Sequence, residues 1–140
     1  MWKSHRVMVF GVFDGLHPGH RAFLRQAKKY GNEVIAVVAR DAAVRKLKKK
    51  EPRLNEKERA VVLRRSRLAD RVVRGDTEEG AYRVIRRYKP DLICLGYDQN
   101  ALADDLRERM QEGMIPRIRL IRMKPYQPEK FRSSLLPRSA

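Results

Sequence analysis

The sequence predicts an α/β fold: a single-domain, doubly wound parallel sheet of about five strands, of the Rossmann-like type. Short, continuous apolar runs such as "EVIAVVA" alternate with segments whose apolar residues recur at helical spacing. Strands that are apolar throughout suit a parallel sheet covered by helices on both faces. Parallel strands joined by right-handed crossovers then give a doubly wound sheet. The chain of 140 residues fits one such domain, over 1–140.

The first half of the chain alternates strands and helices. The runs "VMVF" and "EVIAVVA" predict the first two buried strands. Between them, Phe23, Ala27 and Tyr30 recur at helical spacing, and a Gly-Asn pair ends that helix. The basic segment "RDAAVRKLKKKEPRLN" predicts a short helix and a loop. In order, we expect a strand over 6–13, a helix over 19–30, a strand over 33–39 and the basic segment over 40–55.

The second half of the chain continues the alternation. Asn55 and Glu58 have the spacing of a capping box, which predicts the start of a helix. The runs "DRVVRG" and "DLICLG" predict short strands, and between them four apolar residues share one helical face that ends at Pro90. In order, we expect a helix over 56–68, a strand over 70–75, a helix over 77–88, a strand over 91–96, a helix over 104–113 and a strand over 117–123.

Composition excludes several classes of protein. Hydrophobic residues make up 42% of the chain, which is too many for a disordered protein. No apolar run approaches the ~20 residues of a membrane span, and the N-terminus has no signal-peptide cleavage site, so we expect a cytoplasmic protein without a membrane partner. A single cysteine, Cys94, excludes an internal disulfide and a cysteine-based zinc cluster.

The charge balance is strongly basic. Lys and Arg number 33 against 17 Asp and Glu, a formal net charge of +16. Such a surface attracts polyanions, so a nucleic acid, a nucleotide or a phosphorylated substrate would each fit, and a solvated surface explains the same charge. The basic residues are spread along the whole chain with few aromatics among them. This pattern argues against a dedicated single-strand site, and specific nucleic-acid binding is not expected.

The loop after the first predicted strand, "GVFDGLHPGH", has the chemistry of a phosphate site. Ligands of doubly wound sheets bind beyond the carboxyl ends of the strands. The glycines permit a tight backbone, and a helix N-terminus favours anions. There His17 and His20 would donate hydrogen bonds to phosphate oxygens and stabilise charge on a transferring phosphoryl group. Neither a Walker A loop nor a dinucleotide fingerprint is present, so this is a different phosphate-binding device.

This loop resembles the signature of the HxGH nucleotidyltransferase superfamily, with a GxFD element followed by His17-Pro18-Gly19-His20. Members such as cytidylyltransferases, pantetheine-phosphate adenylyltransferases and FAD synthases join a nucleoside triphosphate to a phosphorylated acceptor and release pyrophosphate. The resemblance spans about 7–135 of the chain. It implies that this loop binds the nucleotide through Gly11, Val12, Phe13, Asp14, His17, Gly19 and His20.

Two later segments resemble archaeal-type FAD synthases in particular: "GYDQ" after the fourth strand and "KFRSS" near the end of the chain. The resemblance implies an FMN adenylyltransferase that makes FAD from ATP and FMN. Two alternatives stay open. One is a cytidylyltransferase that uses CTP and glycerol 3-phosphate or a related phospho-alcohol, and the other is a non-catalytic nucleotide- or RNA-binding protein. For "GYDQ" alone, a turn with a capping Asp is also possible.

The resemblance implies roles for residues throughout the other loops. The catalytic residues would be His17, His20, Lys48 and Ser133. Outside the first loop, the nucleotide-binding residues would be Asp41, Arg59, Gly96, Asp98, Gln99, Arg132, Ser133 and Ser134. Some basic residues would contact phosphates, and the sequence does not show which of them do. The candidates are Lys48, Lys49, Lys124, Lys130 and Arg132.

Three further expectations accompany these roles. Asp14 would shape its loop and not act as a base, because the acceptor phosphate is already anionic. Mg²⁺ or another divalent ion would neutralise the triphosphate, and its protein ligands are not assigned. A homodimer is possible.

Overall fold

The computed structural model describes residues 5–126, which build one five-stranded parallel sheet with helices on both faces. The strand order is β3-β2-β1-β4-β5, and all four strand pairs are parallel. The elements are, in order, β1 (Arg6–Gly11), α1 (Pro18–Lys28), β2 (Glu33–Val38), α2 (Asp41–Lys48), α3 (Glu56–Ser66), β3 (Arg71–Arg74), α4 (Arg83–Tyr88), β4 (Leu92–Leu95), α5 (Asn100–Gln111) and β5 (Arg119–Arg122). The predicted doubly wound sheet is confirmed.

The apolar strands are buried on both faces because each face of the sheet has its own core. In β1, Val7 and Val9 face the core formed with α1 and α3, whereas Met8 faces the core formed with α4 and α5. In the same way, Ala36 of β2 faces the core formed with α1 and α3, and Ile35 faces the core formed with α4 and α5. This arrangement explains why the strands lack the apolar–polar alternation of a half-exposed sheet.

The sheet order reverses between β1 and β4. From β1 the chain winds outward through β2 to β3, then crosses to β4 on the other side of β1 and ends at β5. The loops that leave β1 and β4 therefore diverge at the carboxyl edge of the sheet, and sheets of this kind bind their ligands in the crevice at that point. The segments 11–20 and 96–100 are those two loops.

The prediction of a helix over 77–88 is wrong in its first half. The helix begins only at Arg83, because the chain turns at Gly80 (φ 79°) and at Tyr82 (φ 49°), both in the left-handed region. The Arg83 N–H donates to the Asp76 carboxylate, and the Tyr82 hydroxyl donates to Asp105 Oδ2 at 2.5 Å. Side-chain contacts made by this turn outweigh the local helical pattern.

Other boundaries differ by a few residues. The first strand ends at Gly11 and not at residue 13, because Phe13 has a φ of 54° that no strand accommodates. Helix α5 begins at Asn100, four residues before the predicted start. The predicted capping box is confirmed, since Asn55 Oδ1 accepts from the Glu58 N–H at 2.8 Å and Glu58 Oε1 accepts from the Asn55 N–H at 2.9 Å.

Two further observations bear on composition. Among residues 5–126, no helix combines the length and apolar character that a membrane crossing requires. Cys94 is a free thiol inside β4, and burial raises its pKa to about 12. A thiol that stays protonated and buried is a packing residue and not a nucleophile.

Candidate active site

The segment 11–20 runs from the end of β1 into α1, as predicted. Its backbone turns through three left-handed residues, Phe13 (φ 54°), Gly15 (φ 82°) and Leu16 (φ 43°). Phe13 and Leu16 are only 2% and 3% exposed, so burial of two large apolar side chains offsets the strained backbone. A Cβ on Gly11 would lie 2.7 Å from Phe13 Cζ, which explains the glycine at that position.

His17 and His20 cap the first turn of α1 reciprocally. His17 Nδ1 accepts from the Gly19 N–H at 3.1 Å and from the His20 N–H at 3.4 Å. In return, His20 Nδ1 accepts from the His17 N–H at 3.2 Å. The two imidazoles thus do what Ser and Glu do in an ordinary capping box. As a result, the helix N-terminus fixes the orientation of both rings.

These hydrogen bonds also determine where each ring carries its proton. A ring nitrogen that accepts from an N–H is unprotonated, so a neutral imidazole capped in this way carries its proton on Nε2. The rings of His17 and His20 stack with centroids 3.6 Å apart and planes 19° apart. Phe13 packs edge-on against His20 at 5.6 Å. The two Nε2–H groups are the donors that remain for a ligand.

His20 is neutral at physiological pH. Burial lowers the pKa of this imidazole to about 4, and the neighbouring His17 and Lys48 side chains act in the same direction. Asp14 opposes the shift weakly. A neutral His20 would bind an anion by hydrogen bonding and not through charge. Lys48, the last residue of α2, is near enough to act on the same ring, so two predicted catalytic residues share one electrostatic environment.

Gly19 leaves room for the His17 ring. A Cβ on Gly19 would lie 3.0 Å from His17 Cε1 and 3.2 Å from His17 Nδ1, which is closer than side chains normally pack. It would also lie 4.0 Å from Tyr126 Cβ, so the chain that follows β5 passes this helix end. The H-x-G-H spacing therefore has a physical cause. Capping requires histidines three apart, and the intervening glycine admits the first ring.

Asp14 ties the first loop to the loop before α3. Its Oδ2 accepts from the Arg53 N–H at 2.7 Å and its Oδ1 from the Leu54 N–H at 3.1 Å. Partial burial opposes ionisation, but these two bonds and the charges of Arg59 and Arg53 outweigh it and lower the pKa of Asp14. Both carboxylate oxygens are occupied by backbone donors. Asp14 therefore links the two loops, and its expected role in the site stays a prediction.

Arg59 lies under the site and not on its surface. The residue is 0% exposed. Its Nε donates to the Leu54 carbonyl at 3.0 Å, its Nη1 to the Val12 carbonyl at 2.9 Å and its Nη2 to Asp41 Oδ1 at 2.7 Å. One guanidinium thus joins the first loop, the start of α2 and the loop before α3. The predicted nucleotide contacts of Arg59 and Asp41 stay predictions, and the structure shows the two side chains paired with each other.

The "GYDQ" turn after β4 faces the first loop across the reversal of strand order. Gln99 spans the gap, since its Oε1 accepts from the Gly96 N–H at 2.8 Å and its Nε2 donates to the Phe10 carbonyl at 2.8 Å. Tyr97 is 55% exposed, and Asp98 is exposed beside it. The structure therefore brings Gly96, Asp98 and Gln99 to the expected edge, with the Gln99 amide engaged by the backbone.

Sequence reasoning missed Arg122, the last residue of β5. Its Nη1 donates to Asn100 Oδ1 at 2.9 Å and to the Tyr97 carbonyl at 3.2 Å. The available signal was its position, because a basic residue at the carboxyl end of the last predicted strand reaches the same edge as the other site loops.

The chain after β5 is anchored to α1 by a paired amide contact. Gln26 Nε2 donates to the Lys124 carbonyl at 3.1 Å, and the Lys124 N–H donates to Gln26 Oε1 at 3.1 Å. This anchor brings Tyr126 to the helix end that the two histidines cap. The remaining predicted site residues, Lys130, Arg132, Ser133 and Ser134, lie outside the described residues, and Lys49 is an exposed left-handed residue at the end of α2.

The donor set of the site does not form a resident metal centre within 5–126. No group of three or more His, Cys, Asp or Glu side chains there is placed to hold an ion. The nearby carboxylates of Asp14 and Asp41 are already engaged by backbone N–H groups or by Arg59. Mg²⁺ is commonly held by one or two carboxylates together with substrate phosphates and water.

Comparison with known proteins identifies relatives over most of the chain. The cytidylyltransferase-like family model matches residues 8–139. The chain is 41% identical over 121 residues to an FAD synthase of Aciduliprofundum boonei, covering 86% of this chain and 79% of the relative. It is 42% identical over 109 residues to an FAD synthase of Pyrococcus horikoshii, covering 78% and 74%.

A solved structure with the same architecture is a lipopolysaccharide core biosynthesis protein from Thermoplasma volcanium. It superimposes with a TM-score of 0.80 at 34% sequence identity, covering 89% of this chain and all of that protein. The five-stranded sheet is therefore common to this chain and to at least one experimentally determined relative.

Proposed function

The chain belongs to the cytidylyltransferase-like family, and from that premise we propose that it is an FMN adenylyltransferase, an FAD synthase that makes FAD and pyrophosphate from ATP and FMN. The observation that carries the proposal is the identity of about 40% to several FAD synthases over roughly four fifths of the chain. The reciprocal histidine cap supports it, because it places two Nε2–H donors at a helix N-terminus, where phosphate binds.

The proposed reaction needs positioning more than covalent chemistry. An oxygen of the FMN phosphate attacks the α-phosphorus of ATP in line, a new P–O–P bond forms, and the bond to the β-phosphate breaks as pyrophosphate leaves. The attacking oxygen is already anionic, so no side chain has to remove a proton. The protein has to hold two phosphate groups together and stabilise the charge that develops on the transferring group.

Each predicted residue has a part in this scheme that its chemistry permits. His17 and His20 donate Nε2–H hydrogen bonds to oxygens of the triphosphate, and Lys48 adds a positive charge beside His20. Gly96 and Asp98 face the adenosine or flavin side of the crevice. The sequence resemblance assigns further triphosphate contacts to Ser133, Ser134 and Arg132. Mg²⁺ accompanies the ATP and neutralises its β- and γ-phosphates.

The direct test is product formation by the purified full-length chain. Incubation with ATP, Mg²⁺ and FMN should give FAD and pyrophosphate in equal amounts, measured by chromatography and a coupled pyrophosphate assay. Parallel reactions replace ATP with CTP and FMN with glycerol 3-phosphate. FAD from the first mixture alone supports the proposal, whereas a product from CTP and glycerol 3-phosphate alone would replace it with the cytidylyltransferase alternative.

A pair of histidine variants tests the role of the site separately from its fold. An asparagine oxygen occupies nearly the position of the imidazole Nδ1, so His20→Asn keeps the cap and loses the Nε2–H donor. We expect kcat for FAD formation to fall about 10²- to 10³-fold, as for loss of one transition-state donor. Asn32→Ala, distant from the site on the loop before β2, is the matched control. Full turnover by His20→Asn would exclude the proposed role.

A further inference from the structure

The turn at residues 96–100 is held from two sides. On one side, the Gln99 side chain links the Gly96 N–H to the Phe10 carbonyl, and so ties the turn to the end of β1. On the other side, Arg122 Nη1 donates to the Tyr97 carbonyl and to Asn100 Oδ1, and so ties the turn to the end of β5. Leu95 pairs with Arg122 across β4 and β5, so both strands deliver the partners to the same edge.

The turn at residues 96–100 has more contacts than it needs in order to close. The turn already closes on itself through a backbone hydrogen bond from the Gln99 N–H to the Gly96 carbonyl at 3.1 Å. The Arg122 guanidinium is exposed, and ordering such a long side chain costs conformational entropy. Within residues 5–126 its hydrogen bonds all run through Nη1. An exposed arginine whose hydrogen bonds go to the backbone of a turn serves to hold that turn in position.

The side chains of Tyr97 and Asp98 take no part in these hydrogen bonds and stay accessible. Tyr97 is 55% exposed, so its ring is accessible to a ligand. Asp98 is exposed next to it, and its Oδ1 lies 3.3 Å from the position of a Cβ on Gly96, so glycine leaves room for this carboxylate over the turn. An exposed ring beside a carboxylate offers a stacking surface and an acceptor for ribose or ribityl hydroxyl groups.

We infer that Arg122 and Gln99 are positioning residues that fix the 96–100 turn so that Tyr97 and Asp98 receive the planar heteroaromatic ring and adjoining hydroxyl groups of a nucleotide substrate. Gln99 then acts through the turn and does not contact the nucleotide itself, which departs from the role that the sequence resemblance implied for it. The inference rests on the proposed function, because that function supplies two such rings, adenine in ATP and the isoalloxazine in FMN.

Binding measurements test the inference independently of turnover. ATP with Mg²⁺ is titrated in a calorimeter without FMN, and FMN is titrated by its fluorescence without ATP. Arg122→Ala and Gln99→Leu should each weaken one of the two ligands about tenfold or more, while the other ligand binds as in the wild type. The ligand that weakens identifies the ring. Arg119→Ala, an exposed arginine of the same strand, is the matched control and should bind both ligands normally.

A double-mutant cycle separates positioning from a general structural role. Asn100→Ala removes the side-chain partner of Arg122, so Arg122→Ala/Asn100→Ala should bind no more weakly than Arg122→Ala alone. Arg122→Lys should recover only part of the affinity, because an ammonium group lacks the fork of a guanidinium. In steady state, the effect should appear in KM for one substrate and not in kcat.

The contrary results are equally specific. Unchanged binding of both ligands by Arg122→Ala and Gln99→Leu would overturn the inference. So would a uniform loss of ATP binding, FMN binding and thermal stability, which is the signature of a misfolded edge. If the wild type bound ATP but made no FAD, the proposed function would fail, and the ATP titrations of the variants would still decide whether the turn is positioned for a nucleotide.

Discussion

Two histidines occupy cap positions at α1 where Ser, Thr, Asp or Asn are usual. Those shorter side chains end at the capping atom. An imidazole has a second nitrogen across the ring, so His17 and His20 cap the helix through Nδ1 and keep an N–H donor on Nε2. Only the neutral ring performs both tasks, and the surroundings of His20 keep it neutral. Helix capping and phosphate binding therefore both require the neutral form of the imidazole.

Gly19→Ala should damage the site through the His17 ring. The added Cβ would lie 3.0 Å from His17 Cε1, so the ring has to move and its cap weakens. We expect kcat/KM for FAD formation to fall at least about tenfold, with a loss of about 1 kcal/mol in the free energy of unfolding. Gly75→Ala is the control, since its Cβ would meet neighbours at 3.6 Å. Equal kinetics for the two variants would contradict the prediction.

The pH dependence of stability should report His20. Its pKa in the folded protein is about 4, below the ordinary value of 6.5, so the unfolded chain binds more protons between these values. The free energy of unfolding should therefore fall as the pH drops from about 6.5 toward about 4. His20→Asn removes this group, so urea unfolding should show a smaller loss over that interval than in the wild type. Asp14, Glu56 and Asp70 titrate in both proteins and cancel in the comparison. Identical pH slopes would exclude this linkage.

At the residue scale, Arg59 shows that a sequence motif does not reveal whether a side chain is buried. Its place after an acidic residue on a helix resembles a nucleotide contact, but the side chain is 0% exposed and bonded to three separate segments. Those partners, Leu54, Val12 and Asp41, are up to 47 residues away in the chain. A distant backbone carbonyl leaves no trace in local sequence, so burial of this kind could not be predicted.

At the scale of elements, the strands were predictable because their burial is set by composition. β4 is apolar throughout and β2 is apolar after Glu33, as strands buried on both faces have to be. The start of α3 was equally predictable, since a capping box involves only residues three apart. By contrast, the start of α4 depends on Tyr82, whose hydroxyl donates to Asp105 from another helix. Local periodicity contains no information about that partner.

At the active-site edge of the sheet, too, contacts within one segment were predictable and contacts between distant segments were not. The histidine loop was predictable because its residues are contiguous, whereas the fixation of the 96–100 turn joins β1, β4 and β5. Arg122 lies 25 residues beyond Tyr97 and 22 beyond Asn100. Only the strand order, which brings β5 beside β4, makes these residues neighbours.

For the whole molecule, the excess positive charge is unevenly distributed. Segments 18–30 and 56–70, which contain α1 and α3, hold 9 Lys and Arg against 3 Asp and Glu. Segments 76–91 and 98–117, which contain α4 and α5, hold 7 against 9. Because α1 and α3 pack on one face of the sheet and α4 and α5 on the other, the two sides of the molecule differ in potential. ATP and FMN are both anionic, so the basic side would raise their concentration near the crevice.

This uneven charge distribution predicts that the rate of ATP binding depends on the salt concentration. Between about 50 and about 500 mM salt, kcat/KM for ATP should fall roughly tenfold, because screening shortens the reach of the basic side, while kcat at saturation changes little. Arg25→Gln/Lys57→Gln, two exposed residues of that side outside the site, should lower kcat/KM at low salt and flatten its salt dependence. Arg87→Gln/Arg107→Gln, on exposed residues of α4 and α5, removes the same charge from the other side and should keep the wild-type slope. If both double variants flattened the slope equally, net charge and not its distribution would govern the encounter.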